Sequence, residues 1–154
     1  MNIAVSGSDR RDVQSGALAE FVESILIAEG VPPDASLAVT FVSVEDISDL
    51  NERFMGKEGP TDVLSFPIED ASPGQPPRAV EGGPPLALGD IFICTDVVET
   101  HATEYGVSFD EELYLMVVHG VLHILGWDHI GAHEARAMES REATHLAAVG
   151  RNRR

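Results

Sequence analysis

Cysteine is almost missing. Cys94 is the only one in 154 residues, so no internal disulfide can form, and a reducing cytoplasm is the compartment that suits the chain. Positive charge is scarce as well. Ten Lys and Arg stand against 26 Asp and Glu, a formal net charge of −16, whereas a protein that grips nucleic acid unaided normally presents a basic face. Modest RNA or DNA affinity is therefore expected, and the acidic excess otherwise reads as a well-solvated surface. No apolar run approaches the ~20 residues needed to span a bilayer. The first residues, Met1 to Gly7, lack the basic start and long apolar stretch of a signal peptide. Internal repeats are lacking too.

What is present suits one domain over residues 1–154, with an ordinary apolar fraction of 44%. Residues 2–6 alternate weakly, as a short strand does. Leu18, Phe21, Val22, Ile25 and Leu26 recur at helical spacing and Gly30 supplies a stop. Residues 37–43 are rich in β-formers and suit a buried strand. Ile47, Leu50 and Phe54 make the apolar stripe of a second helix closed near Gly56. A strand over 62–66 ends at Pro67, a Pro- and Gly-rich stretch at about 70–87 reads as a mobile surface loop, and a strand resumes at 90–94. A helix over about 96–105 stops at Gly106. The next helix opens on a capping box, Ser108 with Glu111, and carries an apolar run from Leu113 to Leu125 that should be central and buried. A final helix covers about 133–149, followed by a short basic tail, 151–154. The order β-α-β-α-β-β-α-α-α predicts an α+β or mixed α/β fold, with a small mixed sheet of about four strands covered by helices.

The chemistry concentrates in His119-Gly120-Val121-Leu122-His123-Ile124-Leu125-Gly126-Trp127-Asp128-His129. Positions i and i+4 share one helix face, with Cβ atoms ~5–6 Å apart, so His119 and His123 can converge on one ion. Gly126 can take the left-handed conformation that ends a helix, and His129 can then reach the same ion from outside it. Three neutral imidazoles leave a coordination position free for water or substrate, the mark of a catalytic site. The plain alternative is two core histidines and an accidental third. Buried imidazoles would then each need a hydrogen-bond partner. Zinc is the first choice of metal, and nickel, copper and iron also take imidazole. The spacing matches a zincin-like metal helix. Peptidases of that class carry Glu directly after the first His as general base; here that residue is Gly120, which removes the base.

The segment His119-Gly120-x-Leu122-His123-x-x-Gly126-x-Asp128-His129 resembles the signature of the YbeY endoribonuclease family, the rRNA maturation factors. Two more blocks are similar: Leu50-Asn51 followed by Pro60-Thr61-Asp62-Val63-Leu64-Ser65-Phe66-Pro67, and Leu88-Gly89-Asp90-Ile91. The last helix, with Met138 and Glu142, is also similar. The resemblance runs from about residue 37 to the C-terminus. It implies a single-strand-specific, metal-dependent endoribonuclease that matures the 3′ end of small-subunit ribosomal RNA and serves ribosome quality control. By the same resemblance His119, His123 and His129 are the zinc ligands, and the partners are ribosomal RNA, the small subunit and its proteins, and an Era-type GTPase. One departure stands out. Where the family often has an arginine that handles phosphate, this chain has Met55; Arg53 lies two residues earlier, about 200° around a helix.

The expected chemistry is phosphodiester cleavage by a zinc-activated water or with zinc assistance to attack by the RNA 2′-hydroxyl. Asp128 can orient a ligand imidazole or cap the turn after Gly126. Arg53 is a candidate phosphate contact, with a solvated helix flank as the simpler role. Asp62 and Ser65 are candidates to line a cleft, with strand-end and strand-face roles as the simpler reading. Ser65 has no His-Asp pattern nearby. His101 falls on the apolar side of its helix with Val97 and Val98, as a core residue would, and His133 and His145 look like surface residues. The competing functions are a zinc metallopeptidase and a non-enzymatic ribosome-assembly factor with a structural metal.

Overall fold

A computed structural model describes all residues from Met1 to Arg154. The nine elements follow the expected order: β1 (Asn2–Ser6), α1 (Ser15–Ala28), β2 (Ser36–Phe41), α2 (Val44–Met55), β3 (Val63–Pro67), β4 (Ala87–Ile93), α3 (Thr95–Tyr105), α4 (Phe109–Ile124) and α5 (Ala132–Ala148). They build a mixed α/β fold on one four-stranded sheet of order β1-β2-β4-β3. β1, β2 and β4 run parallel and β3 closes one edge antiparallel to β4.

Alternation along the strands decides which side the core occupies. Leu37, Val39 and Phe41 of β2 are buried while Ser36, Ala38 and Thr40 between them are not. The buried set joins Ile91 and Ile93 of β4 and the apolar side of α1 in one large core cluster. α4 runs through that cluster. Eleven of its sixteen residues are buried, which leaves it no free polar face and makes it the central helix. Val117, Val118, Val121 and Leu122 are fully enclosed, and burial of each such side chain contributes about 1.5–3 kcal/mol. None of that burial involves the histidines. A second, small cluster of Ile47, Leu64 and Cys94 packs with Leu50 and Phe66 under α2.

Ser108 caps α4 by accepting the amide of Glu111 at 3.0 Å. The capping box is half made, because the Ser108 hydroxyl donates to the Glu111 carboxylate at 3.1 Å instead of that carboxylate reaching back to a backbone amide. Phe54 departs from the apolar stripe expected of α2. It is 59% exposed and rests edge-on against Phe66, with ring centroids 5.5 Å apart. Residues 68–86 form no regular strand or helix beyond an isolated bridge between Ser72 and Gln75. No helix is long and apolar enough to cross a membrane.

Two histidine expectations change. His145 is not on the surface: it is 5% exposed, its Nε2 2.6 Å from a carboxylate oxygen of Glu29. Arg141 donates to the same oxygen at 2.6 Å. Burial works against the Glu29 charge, yet the bonds from Arg141 and His145 outweigh it and hold its carboxyl below the usual range. His101 is likewise not a closed core residue. Its side chain is one-third exposed, with Nδ1 3.1 Å from Asp62 Oδ2.

Candidate metal centre

His119 and His123 lie one turn apart near the end of α4, and how that helix ends decides where the third histidine goes. Gly126 adopts φ 91°, a conformation that costs a side-chain-bearing residue dearly. Its amide donates to the His123 carbonyl, and the Trp127 amide donates to the Leu122 carbonyl, both at 3.0 Å. These two bonds form the Schellman turn that satisfies the last helical carbonyls. A Cβ on Gly126 would lie 2.2 Å from the Ala71 carbonyl oxygen, so the loop over the turn also demands glycine. Trp127 packs against the core cluster, and Asp128 accepts the His129 amide at 2.7 Å. Asp128 therefore caps the turn, and its negative charge also bears on the His123 imidazole. The chain reverses, and His129 comes back over α4.

The three rings meet. Centroids lie 4.5 Å apart for His119 and His123, 5.2 Å for His119 and His129, and 5.0 Å for His123 and His129. One ring nitrogen from each falls within 4.8 Å of the others, and no fourth His, Cys, Asp or Glu joins the group. The Nε2 atoms of His119 and His123 are 3.0 Å apart. Imidazoles bound to one tetrahedral ion at about 2.0–2.1 Å would place their nitrogens about 3.3 Å apart, so the donor set fits a divalent cation with small adjustments.

Protonation agrees with that fit. His123 is pushed down to about 4, first by burial and then by the neighbouring His119 and His129. It stays neutral near pH 7 with its lone pair free. His119 Nδ1 lies 2.7 Å from Glu142 Oε2 on α5. A carboxylate only accepts, so the proton of neutral His119 sits on Nδ1 and Nε2 is left to face the cluster. Glu142 is 1% exposed. Burial opposes its charge, but the bonds from His119 and Arg153 outweigh burial and keep it ionised.

An open cleft of 610 Å³ lies over the imidazoles. Its far wall is the stretch from Thr61 to Ser65 in and before β3, and Met55 and Lys57 stand at its rim. Lys57 is the only Lys or Arg in the lining. Arg53 is not part of it; its guanidinium pairs with Asp49 at 3.3 Å on the exposed flank of α2. Asp62 and Ser65 do reach the cleft. Ser65 donates its hydroxyl to the Gly120 carbonyl at 2.9 Å and ties β3 to α4. The close approach requires Gly120: a Cβ there would lie 3.1 Å from Ile91 Cγ2 and 3.2 Å from Val63 Cγ2. That position faces the sheet, so the missing peptidase glutamate has no place in this packing.

The family model described as Endoribonuclease YbeY matches residues 5–150. The chain belongs to the endoribonuclease YbeY family. A family member from Salinispora tropica is 39% identical over 151 residues, covering 96% of this chain and 95% of its own length. Another from Lysinibacillus sphaericus is 36% identical and covers 99% of both chains. A third from Frankia casuarinae reaches 46% identity over 85% of this chain; the match spans 64% of that longer relative. All three are called Endoribonuclease YbeY. Among solved structures, the fold is similar to a solution structure from Thermotoga maritima, with a TM-score of 0.61 and 27% identity over 96% of this chain and 91% of that one.

Three contributors to the centre escaped the sequence reading: Lys57 at the cleft rim, Glu142 as the partner of His119, and Arg153 behind Glu142. Lys57 left a usable signal, because cations are few and it follows the helix that ends at Met55. Glu142 stands in the last helix that resembles the family, but nothing in local spacing pairs it with His119, and Arg153 left no signal, since both reach the centre across a helix pair.

Proposed function

We propose that this chain is a single-strand-specific, metal-dependent endoribonuclease that matures the 3′ end of small-subunit ribosomal RNA and serves ribosome quality control. His119, His123 and His129 hold one Zn²⁺. The observation that carries this reading is the convergence of three imidazole nitrogens, with no fourth protein ligand, under an open cleft. When bound there, a divalent ion supplies an acidified water and a Lewis acid for a phosphoryl oxygen.

The chain's own residues supply the rest. Glu142 holds the His119 Nδ1 proton and aims Nε2 into the cluster. The cleft wall from Thr61 to Ser65 confines the strand beside the imidazoles. Lys57 offers the single positive charge for a phosphate. Replacing Lys57 with alanine is expected to lower kcat/KM on a short single-stranded RNA roughly 10-fold. The salt dependence should become shallower by about 0.7 in log–log slope. An unchanged slope would show that Lys57 makes no phosphate contact.

Charge supports a presented substrate. Six of the ten basic residues are already paired with carboxylates of this chain: Arg10, Arg53, Arg141, Arg151, Arg153 and Arg154. Free RNA then has few cations to bind, and the small ribosomal subunit, its proteins and an Era-type GTPase are the proposed presenting partners, in the cytoplasm.

Chelation tests the reading. Stripping metal from the purified chain should abolish cleavage of single-stranded RNA and lower its melting point by only a few degrees, because the apolar core is built without the imidazoles. Zinc should restore cleavage. Unfolding on chelation with no RNA activity beforehand would favour a structural metal and an assembly role. Cleavage of 2′-deoxy substrate would assign attack to water rather than to the RNA 2′-hydroxyl.

A further inference from the structure

The segment that reads as a short basic tail is folded into the protein. After α5 the Arg151 amide donates to the Leu146 carbonyl at 2.9 Å and turns the chain back. Each arginine beyond that point meets a carboxylate. Arg151 pairs with Asp110 and stacks on Tyr114. Arg154 donates to Glu112 at 2.6 Å and stacks on Tyr105. Arg153 donates its Nε to Glu142 Oε1 at 2.9 Å. Glu112 and Glu142 are both shut off from solvent, where a carboxylate without a partner is strongly unfavourable.

Glu142 differs from Glu112 in what its other oxygen does. Oε1 takes the Arg153 bond while Oε2 takes the His119 Nδ1–H bond. The terminal torsion of a glutamate is broad and soft, and a cavity of 230 Å³ lies beside this carboxylate, bordered by His119, His129, Met138 and Arg153. The carboxylate thus has room to turn unless its second oxygen is tied. Arg153 is the tie, through a planar Nε–H that a lysine lacks.

We propose that Arg153 is a positioning residue of the metal centre: through Glu142 it fixes the ring of His119 so that Nε2 faces His123 and His129. The proposal rests on the reading of the three histidines as metal ligands. Partners one step behind a metal ligand change affinity by about 10–100-fold, and Arg153 acts one step further out, at the low end of that range.

The test is zinc affinity by competition with a chromophoric chelator, together with the visible spectrum of the cobalt-loaded chain. R153A should bind zinc roughly 10-fold more weakly than the parent, and R153K roughly 3-fold more weakly. R153A should also show an altered cobalt band. R151A, which removes a neighbouring arginine whose carboxylate touches no histidine, should bind zinc as the parent does. Should R153A fail to fold, R153K against R151A makes the same comparison. Equal affinity and equal spectra for the Arg153 variants and a metal-binding parent overturn the proposal alone. A parent that takes up no zinc overturns the metal reading, and the proposal with it.

Discussion

Replacing His123 with alanine is expected to lower cleavage of single-stranded RNA on the order of 10³-fold, which is about 4 kcal/mol of barrier. His123 is in close contact with both other rings: its centroid lies 4.5 Å from that of His119 and 5.0 Å from that of His129. Without it, two imidazoles remain, too few to hold a catalytic ion tightly or in one geometry. The fold should survive. His123 is only half-buried, whereas the neighbouring Val121, Leu122 and Ile124 carry the packing of that turn. A melting point a few degrees from that of the metal-free parent, with stoichiometric zinc lost, is the expected pair of results. Full-rate cleavage by this variant would remove the metal centre from the mechanism.

The second large effect concerns the position that separates this centre from a peptidase. Gly120→Glu would restore the glutamate that follows the first histidine in that class of zinc enzyme. It is expected to destabilise the fold by more than about 4 kcal/mol and to create no peptidase. Ile91, Val63 and Ser65 already stand within 3.3 Å of where its Cβ would be. Overpacking of this kind costs about 1–3 kcal/mol, and enclosing a carboxylate against a valine and an isoleucine adds several more. Gly120→Ala isolates the first contribution, and because alanine regains about 1 kcal/mol over glycine inside a helix, its net cost should be about 0–2 kcal/mol. Thermal melting of both variants with a peptide-cleavage assay checks this. A folded Gly120→Glu protein that cleaves peptide would reverse the reading.

Much of the site was legible in the chain because its geometry is local. The spacing of His119 and His123, the helix stop at Gly126 and the return of His129 depend on the pitch of one helix and the conformational freedom of one glycine. The same holds for the order of elements, where apolar periodicity and the stops at Gly30, Gly56 and Gly106 recur in the folded chain. Non-local partners are not legible in this way. His145 reads as a surface residue because nothing near it in sequence announces Glu29, 116 positions away. The helical face of His101 points to the core, yet its ring stays one-third exposed and pairs with Asp62, from the segment before β3.

By itself, then, the sequence determined the three candidate ligands, the buried helix that carries two of them, the mixed α/β class and the lack of a peptidase base. Local backbone physics suffices for each. Tertiary structure alone decided that Gly120 abuts the sheet, that Lys57 and not Arg53 reaches the cleft, and that Glu142 and Arg153 stand in line behind His119. Those relations arise only when helices and strands distant in sequence are packed together, because hydrogen bonds and steric contacts act over a few ångströms of space whatever the separation along the chain.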